Sequence, residues 1–366
     1  MNSRKLLYIV LSLLTIGLVF ISVSSISEAE HTVGDKLYFI KKQAIWSTIG
    51  LFVFFIATKI KLSHVKKYAS LFFILCSILL ALVLIPQFST ETLGARRWLY
   101  LGPLGIQPSE ILKLAAIVFF SKIFSETKSL NIKNLAIYLS LPLTLVILEP
   151  NLSTAVLIAA IVITLYYIAG GEIISLFTLC IIGAAISTGL IMSSPYRLAR
   201  FDSSSYHSSQ MTLALTSGGP IGKGFANSEQ KYRFLPKIST DSIFAVIGEE
   251  LGFIGSSLII LLYILFIATI INISQSTNDV FSTLFAAGVA SWISYQSLIN
   301  VSAVVSIIPL TGVPLPLISY GGSSLVTLMF ALGLVYSISR ENNKENHHHR
   351  QPPHPGHRTN QSTKKR

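Results

Sequence analysis

The longest apolar run of the chain, residues 241–272, reads DSIFAVIGEELGFIGSSLIILLYILFIATIIN, and this run decides the class of fold. One continuous helix over it would be about 48 Å long at 1.5 Å per residue, whereas the hydrocarbon core of a bilayer is about 30 Å thick. Residues 251–272 are uncharged and long enough to cross a bilayer by themselves. The sequence therefore predicts a membrane-spanning helix, preceded by a helical extension or shielded segment that carries Asp241, Glu249 and Glu250.

The composition of the whole chain is also that of a membrane protein. Of its 366 residues, 51% are hydrophobic and only 12% are charged, whereas a soluble domain carries about a quarter charged residues. This balance excludes a soluble enzyme and indicates an all-α integral membrane protein with about ten transmembrane helices. The predicted spans are about 6–23, 44–60, 68–86, 108–124, 134–148, 151–170, 173–193, 241–272, 280–307 and 312–338.

The positive charges indicate the orientation. With a cytoplasmic N-terminus, 16 of the 28 Lys and Arg residues fall on the cytoplasmic side, so the positive-inside rule favours both termini in the cytoplasm. The net charge of +12 thus follows topology and predicts no nucleic-acid partner. A large extracytoplasmic loop, about residues 194–240, is expected between helices 7 and 8. The first run follows Arg4 and Lys5 as a secretory signal would, but no clear cleavage site follows it, so a retained anchor is favoured.

Two regions are predicted. Residues 1–340 form a polytopic membrane domain, and the polar, Pro-containing residues 341–366 form a disordered basic cytoplasmic tail. Cys76 and Cys180 both fall inside apolar runs. They therefore predict packing residues rather than a disulfide framework or a metal site.

Four polar clusters interrupt the apolar runs. They are the first cluster (94–113), the second cluster (149–154), the third cluster (218–250) and the fourth cluster (309–322). All four fall on the outer face under the predicted orientation. Irregular backbone near a membrane persists only where protein or water satisfies it. The sequence therefore predicts that the clusters converge on one site that faces outward.

The first cluster, GARRWLYLGPLGIQPSEILKLA, combines cations, aromatic rings and a charge pair. Arg96 and Arg97 offer planar donors suited to phosphate or pyrophosphate. Trp98 can stack on a sugar or merely anchor at the interface. Glu110 and Lys113 are three residues apart and share a helix face. A structural ion pair is favoured for them over direct chemistry, although charged residues within spans are functional candidates by default.

The second cluster, LEPNLSTA, lies between two spans. Asn151, Ser153 and Thr154 can cap the following helix without any further function. Capping does not account for Glu149, which we predict to line the cavity.

The third cluster carries the acids of the opening stretch together with Lys223, Lys231 and Arg233. Taken alone, Thr240 or Asp241 reads as the N-cap of the helix that follows. At about 100° per residue, Glu249 would lie roughly 80° around the helix from Asp241, and Glu250 on the opposite face. The three acids therefore cannot all address one substrate atom.

The fourth cluster, taken here with its flanking residues as IPLTGVPLPLISYGGSSL (308–325), has the proline and glycine content of a cavity wall. Its hydroxyls can hydrogen-bond a polar ligand, the alternative being a purely structural helix break. The candidate residues are Ser319, Tyr320, Ser323 and Ser324.

The four clusters, in this order, resemble the SEDS family (shape, elongation, division and sporulation proteins: RodA, FtsW and SpoVE). The matching motifs are GARRW…QPSE..KLA, EPNLSTA, GGPIGKGFANSEQKYRFLP, TDSIFAVIGEELGFIG and GVPLPLISYGGSS. They cover essentially the whole predicted membrane domain. NSEQKY.FLP and GARRW are most similar to the FtsW and SpoVE branch.

The resemblance implies a peptidoglycan glycosyltransferase that polymerises lipid II on the outer face of the bacterial cytoplasmic membrane, in division or elongation. Implied partners are a cognate class B penicillin-binding protein and other divisome or elongasome proteins. The essential acid of the family maps to Asp241, its intramembrane pair to Glu110 and Lys113, and its GARRW tryptophan to Trp98.

The chain departs from the family pattern at four positions. Ser239 stands where the family usually has His, and Ser242 where it usually has Phe. Asn151 and Ser153 stand where an acid and a glycine are common. Asp241 is intact, so the predicted activity stands.

The predicted chemistry is attack by the 4-hydroxyl of one lipid-linked sugar on the anomeric carbon of another. Asp241 is the candidate general base. A divalent cation could share the stabilisation of the pyrophosphate, but no ligand cluster in the sequence demands one. The candidate cations for the leaving group are Arg96, Arg97, Lys223, Lys231 and Arg233.

Two other functions fit the same features. A lipid II flippase would also have about ten spans, charges within them and broken helices. However, the polar clusters gather on one face rather than at the midplane, and paired repeats are not apparent. A non-catalytic scaffold for the penicillin-binding protein would leave the convergence of arginines and carboxylates unexplained.

Overall fold

The structure is a computed structural model that describes residues 2–92, 95–101, 104–127, 132–193, 206–230 and 238–349. The described part of the chain is mostly helical. Its twelve helices are α1 (Asn2–Ser24), α2 (Ile26–Val33), α3 (Tyr38–Ala57), α4 (Leu62–Val83), α5 (Pro108–Glu126), α6 (Ile132–Leu148), α7 (Leu152–Ile168), α8 (Ile173–Met192), α9 (Tyr206–Gly218), α10 (Ile243–Gln275), α11 (Val280–Val304) and α12 (Gly322–His349).

Each of the ten predicted spans overlaps one of these helices. Six helices are long and apolar enough to cross a membrane, namely α1, α3, α4, α8, α10 and the part of α12 up to Asn342. Two further apolar helices, α6 and α7, are shorter. The prediction of a multi-pass helical membrane protein is confirmed. α12 continues to His349, into the range predicted as a tail, and residues 350–366 lie outside the described residues.

A small sheet corrects the prediction of an all-α fold. Strands β1 (Ser89–Thr92), β2 (Ala95–Leu101) and β3 (Leu104–Ile106) form an antiparallel sheet in the order β1-β2-β3 between α4 and α5. The GARRW motif thus lies on a strand. The pairing of β1 with β2 shifts register there, since Thr90 pairs with Trp98 and Glu91 with Arg96. Such a bulge at Arg97 interrupts the regular alternation of side chains along β2.

Helix α10 is broken near its beginning. Gly252 has φ 67° and ψ −164°, which only glycine adopts readily, and it divides α10 into residues 243–251 and 253–275. Residues 243–250 are all buried in protein. A shielded segment ahead of the span is thereby confirmed. The N-cap position belongs to Ser242, so the prediction of Thr240 or Asp241 as N-cap is wrong.

The core lies among α5, α7, α11 and α12, whose side chains are largely buried. α12 packs against α3, and α10 packs against α11 and α1. α8, by contrast, has no buried residue and lies at the periphery. The central helices therefore form a rigid frame whose connections carry the polar clusters.

Candidate active site

The four polar clusters meet at one end of the bundle, as the sequence predicts. The first and fourth clusters are joined where the Gln107 N–H donates to Ser323 Oγ at 3.1 Å. The second and fourth are joined where Ser153 Oγ donates to the Thr311 carbonyl at 3.1 Å. These bonds place both the first and the second cluster against the proline- and glycine-rich fourth cluster.

The third cluster joins the others at the turn that carries Asp241. The Tyr320 N–H donates to the Ser239 carbonyl at 2.8 Å. The Asn300 amide, on α11, donates to the Asp241 carbonyl at 3.2 Å and to the Val313 carbonyl at 2.8 Å. The backbone on both sides of Asp241 is therefore fixed by two separate elements, the fourth cluster and α11.

The Asp241 side chain is buried, with 8% of its surface exposed. A Cβ added at Gly312 would lie 3.6 Å from Asp241 Oδ2. The fourth cluster therefore passes directly beside the carboxylate at a residue with no side chain. A ligand held by the fourth cluster would lie next to this carboxylate.

Glu28, on α2, contacts the same turn and was missed by sequence reasoning. Its Oε2 accepts from the Ser239 N–H at 3.1 Å and from Ser239 Oγ at 2.9 Å. Ser239 is fully buried. No motif marks Glu28, because α2 is only eight residues long and lies outside the four clusters. The one signal was the serine in place of the usual family histidine, which left open what Ser239 binds.

Glu249 holds the loop at residues 219–230. Its carboxylate accepts from Lys223 Nζ at 3.0 Å, from Ser228 Oγ at 2.5 Å, and from the Glu229 and Gln230 N–H groups at 3.1 and 3.3 Å. The Glu249 side chain has no exposed surface. This carboxylate is thus engaged in organising the loop.

Glu250 supports the same loop at two further backbone positions. Its Oε2 accepts from the Ala226 N–H at 3.0 Å, and its carbonyl accepts from the Gly224 N–H at 3.1 Å. The two acids that follow Asp241 are therefore anchors for the loop.

Close backbone approach joins this loop to the break in α10. A Cβ at Gly222 would lie 2.1 Å from the Glu250 carbonyl oxygen, and one at Gly252 would lie 2.3 Å from the Gly222 nitrogen. Gly222 also has φ 90°. Because both residues lack Cβ, the loop and the helix break can pack backbone to backbone.

Of the three candidate basic residues of the third cluster, the structure describes one, Lys223. Lys223 pairs with Glu249 at 3.0 Å and with the exposed Glu229 at 3.2 Å. The hydrogen bond to Glu249 raises the pKa of Lys223. Its charge is already matched within the protein, which weakens its case as a pyrophosphate ligand. Lys231 and Arg233 lie outside the described residues.

Arg97 holds the connection between α6 and α7. Its Nε donates to the Glu149 carbonyl at 3.1 Å, and a terminal nitrogen donates to the Pro150 carbonyl. Asn151 caps α7, accepting from the Thr154 N–H at 3.4 Å. Arg97 thus donates its hydrogen bonds to backbone carbonyls, which weakens its case as a substrate ligand. The prediction that Asn151 caps a helix is confirmed.

Glu149 is a buried acid of a different kind. Its side chain has no exposed surface, and its polar neighbours include Arg97 and Ser109. Burial raises the pKa of Glu149 to about 8, although the positive charge of Arg97 opposes the shift. At neutral pH this group is mainly a neutral acid rather than an anionic ligand.

Glu110 and Lys113 lie 2.7 Å apart at the beginning of α5, almost fully buried. Lys113 Nζ also donates to Gln296 Oε1 at 3.1 Å and lies 5.0 Å from the centre of the Trp292 ring. The Gln296 amide in turn donates to the Pro314 carbonyl at 2.8 Å. The ion pair therefore supports the fourth cluster through Gln296.

The hydroxyls of the fourth cluster are used mainly for structure. Ser319 Oγ accepts from the Leu315 N–H at 2.8 Å, and Ser323 joins the first cluster as described above. Tyr320 is half-buried, and its ring packs edge-on against Phe39 with centroids 5.2 Å apart. Ser324 is half-buried at the beginning of α12.

Trp98 and Arg96 are both half-buried on β2. The Trp98 ring lies 3.4 Å from the position that a Cβ at Gly105 would occupy, so the ring packs over β3. Within the described residues, no group of three or more His, Cys, Asp and Glu side chains could hold a metal ion.

The described part of the chain is a helical membrane bundle whose polar connections meet at a turn that carries a buried aspartate. Residues 4–344 match the family model described as cell cycle protein, which covers FtsW, RodA and SpoVE. The chain belongs to this FtsW/RodA/SpoVE family.

Individual relatives agree with this assignment. The chain is 35% identical over 353 residues to stage V sporulation protein E of Bacillus subtilis, covering 92% of this chain and 96% of that protein. It is 33% identical over 354 residues to the probable peptidoglycan glycosyltransferase FtsW of Coxiella burnetii, covering 90% and 94%.

Solved structures share the fold. A chain of a peptidoglycan synthase complex that coordinates polymerization and crosslinking matches with a TM-score of 0.77 at 24% identity, covering 93% of this chain and 98% of that one. The rod shape determining protein RodA of Thermus thermophilus matches with a TM-score of 0.69 at 24% identity, covering 92% and 96%.

Proposed function

We propose that this chain is a peptidoglycan glycosyltransferase that polymerises lipid II, with Asp241 as the general base. The observation that carries the proposal is the position of Asp241. It is a buried carboxylate beside Gly312, on a turn held by the fourth cluster and α11. Relatives of the chain are named probable peptidoglycan glycosyltransferases.

The proposed step balances with one base. The 4-hydroxyl oxygen of the acceptor sugar forms a bond to the anomeric carbon of the donor while Asp241 accepts the hydroxyl proton. The bond between that carbon and the pyrophosphate oxygen breaks, and the lipid pyrophosphate leaves with the electron pair.

One carboxylate is sufficient for this reaction. Glycosidases need two because a sugar oxygen must be protonated as it leaves, whereas a pyrophosphate leaves as a stable anion. The contacts of Glu249 and Glu250 support this division, since both carboxylates are used to hold the loop at residues 219–230.

Cationic groups would stabilise the departing pyrophosphate. The bonds of Arg97 and Lys223 within the protein weaken both as candidates. The candidates remain Arg96, Arg97, Lys223, Lys231 and Arg233. Trp98 would stack on a sugar ring, and the half-buried Tyr320 and Ser324 would face the glycan.

The proposal includes ten spans, cytoplasmic termini and a location in the bacterial cytoplasmic membrane, with the four clusters on its outer face. The charge distribution supports this orientation. We also propose a class B penicillin-binding protein as partner, in division or elongation. A fold match to a chain of a complex that couples polymerization with crosslinking supports such a pairing.

The test is glycan polymerisation in detergent. The purified protein, with its cognate penicillin-binding protein, is given lipid II, and polymer is measured for wild type, Asp241→Asn and Asp35→Asn. Asp35→Asn is the matched control, because Asp35 lies on an exposed connection where it pairs with Lys41. Polymer from wild type and Asp35→Asn, with a loss of at least a hundredfold in Asp241→Asn, is the expected result.

Other outcomes discriminate among functions, since detergent removes any need for lipid flipping. Equal polymer from wild type and Asp241→Asn would overturn the role of Asp241. No polymer from any variant, with an active partner, would favour a flippase or a scaffold.

A further inference from the structure

We infer that Glu28 is a positioning residue for Asp241, acting through Ser239. This inference rests on the proposed function, since it concerns the geometry of the proposed general base. It assigns a role to α2, an element outside all four clusters.

Ser239 contacts Glu28 through two hydrogen-bond donors. A single Glu28 oxygen, Oε2, accepts both the backbone N–H and the side-chain hydroxyl of Ser239, at 3.1 and 2.9 Å. A carboxylate that accepts two hydrogen bonds from one buried residue fixes both its backbone and its rotamer. Ser239 is two residues before Asp241, so this fixes the approach of the chain to the base.

Glu28 completes a set of three tethers on one turn. The Ser239 carbonyl is held by Tyr320, and the Asp241 carbonyl is held by Asn300. Without Glu28, the N–H and hydroxyl of a fully buried residue would lose their acceptor. Burying polar groups without a partner is unfavourable, so the turn would shift to recover one.

The position of Glu28 indicates that it holds the turn that carries Asp241 rather than contacting the reacting sugars. Its Oε2 faces Ser239, whereas Gly312 of the fourth cluster lies beside the Asp241 carboxylate. A misplacement of about 1 Å in a catalytic group can lower a rate about a hundredfold. We therefore expect loss of Glu28 to act on turnover more than on substrate binding.

The test compares Glu28→Ala, Glu28→Gln and Glu30→Ala in the full chain with its partner. Glu28→Gln keeps an oxygen that can accept from Ser239 but removes the charge. Glu30→Ala is the control, since Glu30 is on the same helix but exposed and paired with Lys36. Two readouts are used: steady-state kinetics of lipid II polymerisation, and hydrogen exchange of a peptide covering residues 238–242.

In Glu28→Ala we expect faster exchange at residues 238–242, kcat lower by about tenfold to a hundredfold, and KM changed less than about threefold. Glu28→Gln should restore most of the slow exchange and most of the kcat. Glu30→Ala should match wild type in both measurements. Combining Ser239→Ala with Glu28→Ala should add little to the loss of rate, because Glu28→Ala already removes the acceptor of the Ser239 hydroxyl.

Three results would overturn the inference. Unchanged exchange in Glu28→Ala would mean that the tether does not hold the turn. Faster exchange with unchanged kcat would mean that the tether does not position the base. Equal damage from Gln and Ala would mean that Glu28 acts through its charge. If wild type makes no polymer, the proposed function fails, and the exchange measurement still decides whether the tether exists.

Discussion

Asp241, Glu249 and Glu250 are close in sequence but have separate environments. Asp241 precedes the helix on a turn, Glu249 gathers four groups of one loop, and Glu250 accepts from Ala226. These contacts agree with the sequence-based conclusion that the three acids cannot share one substrate atom. Its helical-angle argument is not, because Asp241 lies outside α10. The partners of Glu249 come from a glycine-rich loop whose path no periodicity predicts.

Glu149 should make stability depend on pH. Its pKa is about 8 in the fold, against about 4.5 for the ordinary group. Between these values the unfolded chain loses a proton that the folded protein keeps, so stability falls as pH rises. We expect the melting temperature in detergent to decrease from pH 5 to pH 8 in wild type, and to depend less on pH in Glu149→Gln.

The control for this prediction is Glu172→Gln, since Glu172 lies outside the helices at the beginning of α8 and is exposed. It should melt with the same pH dependence as wild type. If the melting temperatures of wild type and Glu149→Gln depended equally on pH, the prediction that Glu149 is buried as a neutral acid would be contradicted.

The buried pair Glu110–Lys113 should behave as a unit. Lys113→Met leaves Glu110 as an unpaired buried charge, which should lower stability by about 3–5 kcal/mol. Glu110→Gln combined with Lys113→Met removes both charges and should recover a large part of that loss. Thermal unfolding in detergent measures both variants, and a double variant less stable than Lys113→Met would refute the coupling.

At the scale of elements, the helices were predictable and the small sheet was not. Long apolar runs fix α1, α3, α4 and α10 because few structures other than a helix satisfy a backbone in lipid. The three strands of the sheet are only four, seven and three residues long. Their register depends on pairing with each other, so the GARRW motif gave no sign of a strand.

The joint between the loop and α10 depends on Gly222. Gly222→Ala should destabilise the protein for two reasons: its φ of 90° and the 2.1 Å approach of a Cβ to the Glu250 carbonyl oxygen. Gly170→Ala is the matched control, because Gly170 has φ 91° but open space around its Cβ position. The control should lose about 1–2 kcal/mol from backbone strain alone.

We expect Gly222→Ala to melt well below Gly170→Ala and to become sensitive to protease at residues 219–230. Equal melting temperatures for the two variants would mean that the loop does not pack on the helix break.

At the scale of the molecule, the convergence of the clusters could be predicted and its contacts could not. Membrane topology puts alternate connections on one side, which sufficed to bring the four clusters together. Which side chains would bind substrate and which would hold the backbone depends on packing. Nothing in the sequence distinguishes Arg97 and Lys223 from cations that bind a substrate, yet both bind groups of the protein itself.

The proposed orientation can be tested by labelling. In a background with Cys76 and Cys180 changed to Ser, Asn227→Cys and Ser63→Cys place single thiols at exposed positions of the 219–230 loop and of the first turn of α4. A membrane-impermeant maleimide should label Asn227→Cys in intact spheroplasts and Ser63→Cys only after lysis. Labelling of both without lysis would refute the proposed orientation.

The tether between Glu28 and Ser239 also sets an order of assembly. The two residues are 211 positions apart, so at 5–20 residues per second the ribosome needs about 10 to 40 s between them. Helices α1 and α2 must wait in the membrane while α3 to α9 are made, and Asn300 and Tyr320 arrive later still. The turn that carries Asp241 is therefore completed near the end of translation, and a nascent chain interrupted before Tyr320 carries its acid without its full support.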